Sequence, residues 1–308
     1  MRASLAAPRK PSESAALPLL DPRGARVILG APPGAPVAPI SASASSLFGP
    51  RGACLATPDG PLFVCDTGHH RVLVWRRAPS CDGAPADLVI GQPDLSAEGR
   101  RMLNVPTGVA FEAGWLAVAD AWNHRVLLWR SVPQAGDEPP DVVVDEGLFW
   151  PYGVALHEGR LYVADTGHRR ALVWDRIPHG RRAPDHVLPQ MRWPHAFAFS
   201  GERTFIADAG ANRVIGADCG DLSMPYGVTT AGGLLIIADT ANSRLLGLEI
   251  AGSARYLAGQ RSLADKGENR WGFAARDTVS WPYGVAACGR TLVIADSGNN
   301  RVLLWDLA

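Results

Sequence analysis

The sequence predicts an all-β chain in which six small sheets stand radially about one axis and a strand from near the N-terminus closes the ring. Three observations carry this. The hexapeptide WPYGVA stands at residues 150–155 and again at 281–286, with WPHAFA at 193–198 and MPYGVT at 224–229 between them. Pro recurs at 50, 106, 151, 194, 225 and 282, Asp at 66, 120, 165, 208, 239 and 296, and Arg at 71, 125, 170, 213, 244 and 301. The step from Asp to Arg is five residues in all six copies, and that from Pro to Asp is fourteen in five copies and sixteen in the first. Self-similarity at such spacing marks one supersecondary unit used repeatedly.

Each unit opens on a strand of small residues (GVA). An apolar strand follows (LYVAD, LLIIAD, TLVIAD), then a tight turn and a third strand (RVLVW, RVLLW). Short apolar runs bounded by Gly, Asn and Asp read as strands buried on both faces. A fourth strand comes next in most copies: ADLVIG (86–91), PDVVVD (140–145), PDHVLP (184–189) and ARYLAG (254–259). Four-stranded sheets repeated radially make a β-propeller. The sequence stops after the third strand of copy six, and ARVILG at 25–30 is predicted to supply its outer strand. Copies four and five begin 31 residues apart (Pro194 to Pro225), so a three-stranded fourth blade is expected. Residues 1–24 are expected to form a flexible tail and residues 25–308 the six-bladed propeller.

The pattern x-P-x-G-V-A…L-Y-V-A-D-T-G-N-x-R-V resembles the NHL repeat over about residues 25–308. The resemblance, to the bacterial type of that family, implies a six-bladed propeller, a fold that serves binding proteins and enzymes alike. The chain is also distantly similar in fold to the peptidyl-α-hydroxyglycine α-amidating lyases. That likeness implies zinc held by histidines in x-P-H motifs at the start of the inner strand. Only WPH, with His195, matches; one imidazole among phenols does not make the three-histidine set that zinc takes. Six-bladed calcium-dependent lactonases would need carboxylates and amides at the axis, and the corresponding positions hold none.

Composition excludes several function classes. The 30 basic and 30 acidic residues cancel, so no overall field draws the chain to nucleic acid or anionic membranes. Arg supplies nearly all the basic residues, as a GC-rich genome would give. With 33 Gly and 25 Pro beside 47% apolar residues, the chain reads as tight turns between buried strands. Five irregularly spaced cysteines suit a reducing compartment. No apolar run is long enough to cross a bilayer and the N-terminus lacks an apolar leader core, so a cytoplasmic location is expected. No C-x-x-C, H-E-x-x-H, G-x-S-x-G or P-loop appears.

The Asp and Arg present once per unit are expected to serve each blade structurally, the Asp accepting turn N–H groups and the Arg pairing with it. Trp75, Trp129, Trp174 and Trp305 are expected to pack between blades. His69 and His168 fill a turn slot held elsewhere by Asn123, Asn242 and Asn299. His70 and His124 share the next slot and are expected to be exposed, while His157, His179 and His186 fall in loops or outer strands. Cys54 is expected to reach the channel, and Cys65 to be a small core residue.

Function is expected where the copies differ. Immediately after the repeated Pro stand Arg51, Thr107, Tyr152, His195, Tyr226 and Tyr283, each followed by Gly or Ala. These six are predicted to ring the axis at one mouth of the channel, either plugging it or binding a ligand. If a metal ion binds, His195, Tyr152, Tyr226 and Tyr283 are the candidate donors, a set that suits ferric iron with an anion on Arg51 and Thr107. The primary functional expectation is a non-catalytic scaffold that holds a protein partner through its loop faces. Long insertions at 92–104 and 260–280, the latter with Trp271 and Phe273, support it. The alternative is a small-ligand or metal-binding protein, or a lyase- or hydrolase-type enzyme, using the axial ring. RNA binding is disfavoured by the neutral charge.

Overall fold

In a computed structural model that describes residues 16–35 and 41–308, the chain forms six sheets around one channel. Blade 3 is typical: inner strand Pro151–His157, second strand Arg160–Asp165, third strand Arg170–Trp174 and outer strand His186–Leu188, all antiparallel. Blades 1, 2 and 6 have the same four-stranded order, and blade 4 stops at three, as the short spacing predicts. Val27–Gly30 pairs with the third strand of blade 6, Arg301–Asp306, and completes that sheet from the other end of the chain.

The expected tail boundary at residue 24 is corrected here. Residues 1–15 lie outside the described residues, but residues 16–24 pack against the ring. Leu17–Pro18 adds a fifth, parallel strand to blade 5 beside Arg255–Ala258. Leu19 and Leu20 are buried in the core shared by blades 5 and 6. The Leu19 N–H donates to the Leu257 carbonyl and the Asp21 N–H to the Asp306 carbonyl, so this segment ties both blades at once. The physical reason is the burial of Leu19 and Leu20, which would otherwise stay in water, while Leu17 and Pro18 remain exposed.

The core is divided among six clusters, each between two adjacent blades. The second and third strands supply it because both their faces meet a neighbouring sheet. Trp75, Trp129, Trp174 and Trp305 are buried in four of these clusters, and each indole N–H donates to a loop carbonyl, as a buried Trp requires. No helix among the described residues is long and apolar enough to cross a membrane.

The repeated Asp is the knot of each blade. In blade 5 the buried Asp239 accepts the Ser223 N–H on Oδ1 at 2.7 Å, and Arg244 Nε and Asn242 Nδ2 on Oδ2 at 2.7 and 2.8 Å. The same Asp–Arg pair forms in all six blades. His69 and His168 take the Asn role, each with Nδ1 on the Oδ2 of its blade's Asp. Its Oδ1 bond holds the loop that leads into the inner strand, which fixes where that strand begins at the hub.

Two further kinds of contact join neighbouring blades. Thr67, Thr166 and Thr240, directly after the Asp, donate to the carbonyls of Pro106, Pro194 and Pro282 in the following blade. The left-handed residue that ends each turn provides the second contact. His70 accepts the Val105 N–H on Nδ1 at 3.0 Å, His124 that of Trp150 at 3.1 Å, and Asn212 and Asn300 those of Met224 and Gly49. His70 and His124 are therefore half-buried clasps between blades rather than exposed side chains. His157 is likewise placed on an inner strand and stacks on Phe199, ring centres 4.0 Å apart, rather than lying in a loop or outer strand.

Candidate functional site

The backbone delivers the six variable residues to one mouth of the channel. In five blades the pairing of the inner strand shifts between the Pro and the residue two beyond it, leaving the residue between as the extra member of a β-bulge. A bulge re-aims its extra residue away from the ladder, and here that residue is Thr107, Tyr152, His195, Tyr226 or Tyr283. The Gly that follows is required by crowding. A Cβ on Gly227 would stand 2.7 Å from the Tyr283 carbonyl oxygen, and one on Gly52 2.6 Å from that of Thr107.

All six residues line one cavity of about 440 Å³ that runs down the axis. Tyr226 and Tyr283 stack in parallel with ring centres 4.4 Å apart, and Tyr152 and His195 stack at 5.2 Å. His195 also leans on Tyr226, 4.3 Å away, so the four rings form a continuous arc. The Arg51 guanidinium closes the arc, its carbon 4.7 Å from the centre of Tyr283 and 5.9 Å from that of Tyr152. Thr107 takes no part in this stacking; its hydroxyl donates to the Tyr152 carbonyl at 2.8 Å and holds that blade in place.

Two electrostatic features distinguish the ring. The backbone N–H of Arg51 donates to the Cys65 carbonyl, but its guanidinium enters no ion pair and no hydrogen bond among the described residues, and no Asp or Glu lines the cavity. Stacking occupies the faces of its guanidinium and leaves the in-plane N–H groups free. His195 donates from Nδ1 to the Trp193 carbonyl at 3.0 Å, which fixes the neutral tautomer with the lone pair on Nε2. Desolvation inside the ring pushes this imidazole down to about 4, with the Arg51 charge acting in the same direction and the Trp193 carbonyl against it. At neutral pH the ring thus carries one positive charge, on Arg51.

The ring does not suit the ferric ion considered from sequence. Phenolate ligands would have to form, yet burial pushes the Tyr226 hydroxyl well above its ordinary range, and its neighbour Tyr283 adds to this. A guanidinium beside the same rings also repels a cation. Among the described residues no group of three His, Cys, Asp or Glu side chains is placed to hold a metal. Cys54 lines the channel as expected, but desolvation pushes its thiol up to about 11, which leaves it a poor nucleophile.

Around the same mouth lies an apolar collar. Phe48, Phe149, Trp150 and Trp193 stand one or two residues before the repeated Pro, Trp122 sits in the turn after Asp120, and all five are exposed. Trp271 and Phe273, in the long connection into blade 6, are 83% and 87% exposed. Sequence reasoning singled out the last two and missed the others; for all of these but Trp122 the signal was a large aromatic one or two residues before the repeated Pro.

The family model of the NHL repeat matches residues 49–75. No curated protein matches the chain. Among solved structures it is similar to a protein of unknown function from Bacteroides thetaiotaomicron at 13% identity, covering 92% of this chain and 75% of that one, with a TM-score of 0.60. It is also similar to the hydrazine synthase of Kuenenia stuttgartiensis at 14% identity, over 85% and 96% of the two chains, with a TM-score of 0.55. The PQQ-bound aldose sugar dehydrogenase of Streptomyces coelicolor is 16% identical over 87% and 97%, TM-score 0.55. Identities this low establish a shared fold and nothing of its use.

Proposed function

We propose that this six-bladed NHL-repeat propeller binds a small anionic ligand at its hub, with Arg51 as the charged anchor. The observation that carries the reading is the unpaired guanidinium in a cavity whose lining has no carboxylate. A buried or half-buried charge is ordinarily paired, and an anion entering the ring would supply the missing partner. The cavity volume of about 440 Å³ falls in the range of small-molecule sites. The tyrosine hydroxyls can donate to the same anion, and His195 Nε2 can accept from the rest of the ligand. Thermal-shift measurements with a panel of small anions test this. One or more should raise the melting temperature of the wild type and leave that of Arg51→Met unchanged; equal responses, or none, would refute the site.

The exposed collar supports a second reading, a protein partner seated on this face as the sequence suggests. Aromatic side chains concentrated on one surface are the residues that dominate protein interfaces. Under this reading a partner retained by the wild type is released by the combined substitution Trp150→Ser, Trp193→Ser and Phe273→Ser, while Arg51→Met has no effect on its capture.

A further inference from the structure

We propose that the hub ligand is a hydroxy-monocarboxylate, its carboxylate on Arg51 and its hydroxyl donating to His195 Nε2. The inference rests on the reading of Arg51 as an anion anchor and specifies the rest of the ligand.

Charge comes first. At the ring the lining offers one guanidinium and no second cation, because His195 is neutral and Lys is absent; the cavity's other imidazole, His157, stacks on Phe199 at the far end of its inner strand. A single charge balances a carboxylate, whereas a phosphate or sulfate dianion would leave one charge uncompensated in a half-buried site. The planar in-plane edge of Arg51 also matches the two oxygens of a carboxylate.

The second requirement is a donor. The Trp193 carbonyl holds the His195 proton on Nδ1, and Nε2 has no hydrogen-bond partner among the described residues. Arg51 and His195 both flank Tyr152, the guanidinium carbon 5.9 Å from its ring centre and the imidazole 5.2 Å. The mouth therefore presents a cationic donor and a neutral acceptor on either side of one phenol. A ligand that satisfies both must carry an anion and a hydrogen-bond donor. An ammonium would be a donor too, but Arg51 repels it; a hydroxyl is the smallest neutral donor that fits beside a carboxylate.

Room for the body of such an acid lies below the ring. Three residues beyond the ring positions stand Cys54, Ala110, Ala155, Ala198, Thr229 and Ala286, and all six line the cavity. Small side chains at every blade widen the channel there, so acids with and without a bulky substituent can be accommodated.

Matched pairs of acids test the assignment by calorimetry: lactate against propionate, and mandelate against phenylacetate, with inorganic phosphate as the dianion control. Each hydroxy acid is expected to bind about tenfold or more tightly than its partner, since a site built to meet a hydroxyl leaves a polar group unpaired without it. His195→Phe, which keeps the stacked ring and removes the acceptor, should abolish that preference while the acid still binds. In the wild type, the Nε2 nitrogen resonance of His195 should move with lactate and not with propionate. Equal affinity within each pair, with both lost in Arg51→Met, overturns the hydroxy-acid inference and leaves the anion site standing. A preference that survives in His195→Phe with an unmoved Nε2 resonance overturns it as well, as does phosphate binding more tightly than lactate. If no acid binds in an Arg51-dependent way, both readings fall together.

Discussion

His70, at the end of the first blade's turn, accepts the backbone N–H of Val105 in the second blade through Nδ1 at 3.0 Å. Val105 has φ of 54°, a left-handed conformation that a β-branched residue rarely adopts. Trp150, Met224 and Trp281, which also precede a repeated Pro, share this conformation, and each gives its N–H to a side chain of the preceding blade. Blade 4 is the exception. Arg169 fills the clasp slot, Trp193 gives its N–H to Asp208 of its own blade, and its φ is not positive. The clasp thus goes with the strained entry into the inner strand.

The clasp works only while Nδ1 of His70 is unprotonated, which makes stability depend on pH. Burial lowers the His70 imidazole below its ordinary 6.5; Arg100 and His69 add to this, and Asp120 and Asp66 oppose it. His195 is lowered too, to about 4. A histidine depressed in the folded state takes up fewer protons than the unfolded chain. The contribution of each is therefore complete above about 6.5 and is lost as pH falls below it, for His195 down to about 4. Urea unfolding midpoints should decline over that window, and less steeply in His70→Asn, whose amide oxygen accepts without titrating.

Arg51→Met is expected to change folding stability by no more than about 1 kcal/mol, because only cation–π contacts are lost. Chemical denaturation checks this. A drop of several kcal/mol would make Arg51 a structural plug.

Gly227→Ala should destabilise the fold by about 2 kcal/mol or more, since the new methyl meets the Tyr283 carbonyl at 2.7 Å and backbone on both sides must shift. Ala196 occupies the same place in blade 4, so Ala196→Gly should be far milder. Comparing the two by thermal melts separates hub crowding from general Gly effects.

Leu19→Ala or Leu20→Ala should each cost about 2–4 kcal/mol, the loss expected for a fully buried leucine. If residues 16–24 were an ornamental tail, neither change would register in a denaturation curve.

Much of this was legible in the sequence because the repeat reports geometry directly. Six Pro–Asp–Arg sets gave six blades, the short spacing after Pro194 gave the three-stranded blade, and the lone outer-strand pattern at 25–30 gave the closure. The position after Pro was readable as the hub because small neighbours mark crowding. Other features had no repeated residue type to reveal them. The clasp slot holds His, Arg, Asn and Ser in different blades, and what five of the six share is an acceptor atom on a left-handed residue. The strand at Leu17–Pro18 is two residues long and pairs with Tyr256 and Leu257, a partner that no local pattern specifies. That Arg51 lacks a carboxylate becomes visible only when all six inner strands are brought to one axis.

Blade 4 is held least. It has no outer strand, Ala209 stands where Thr67, Thr166 and Thr240 bridge to the next blade, and Arg169 makes no clasp into it. The junction where the two chain ends meet is, by contrast, doubly fastened by residues 16–30. Partial opening should accordingly start far from the termini, and a limiting dose of protease should nick the segment between Ile215 and Pro225 before it releases either end.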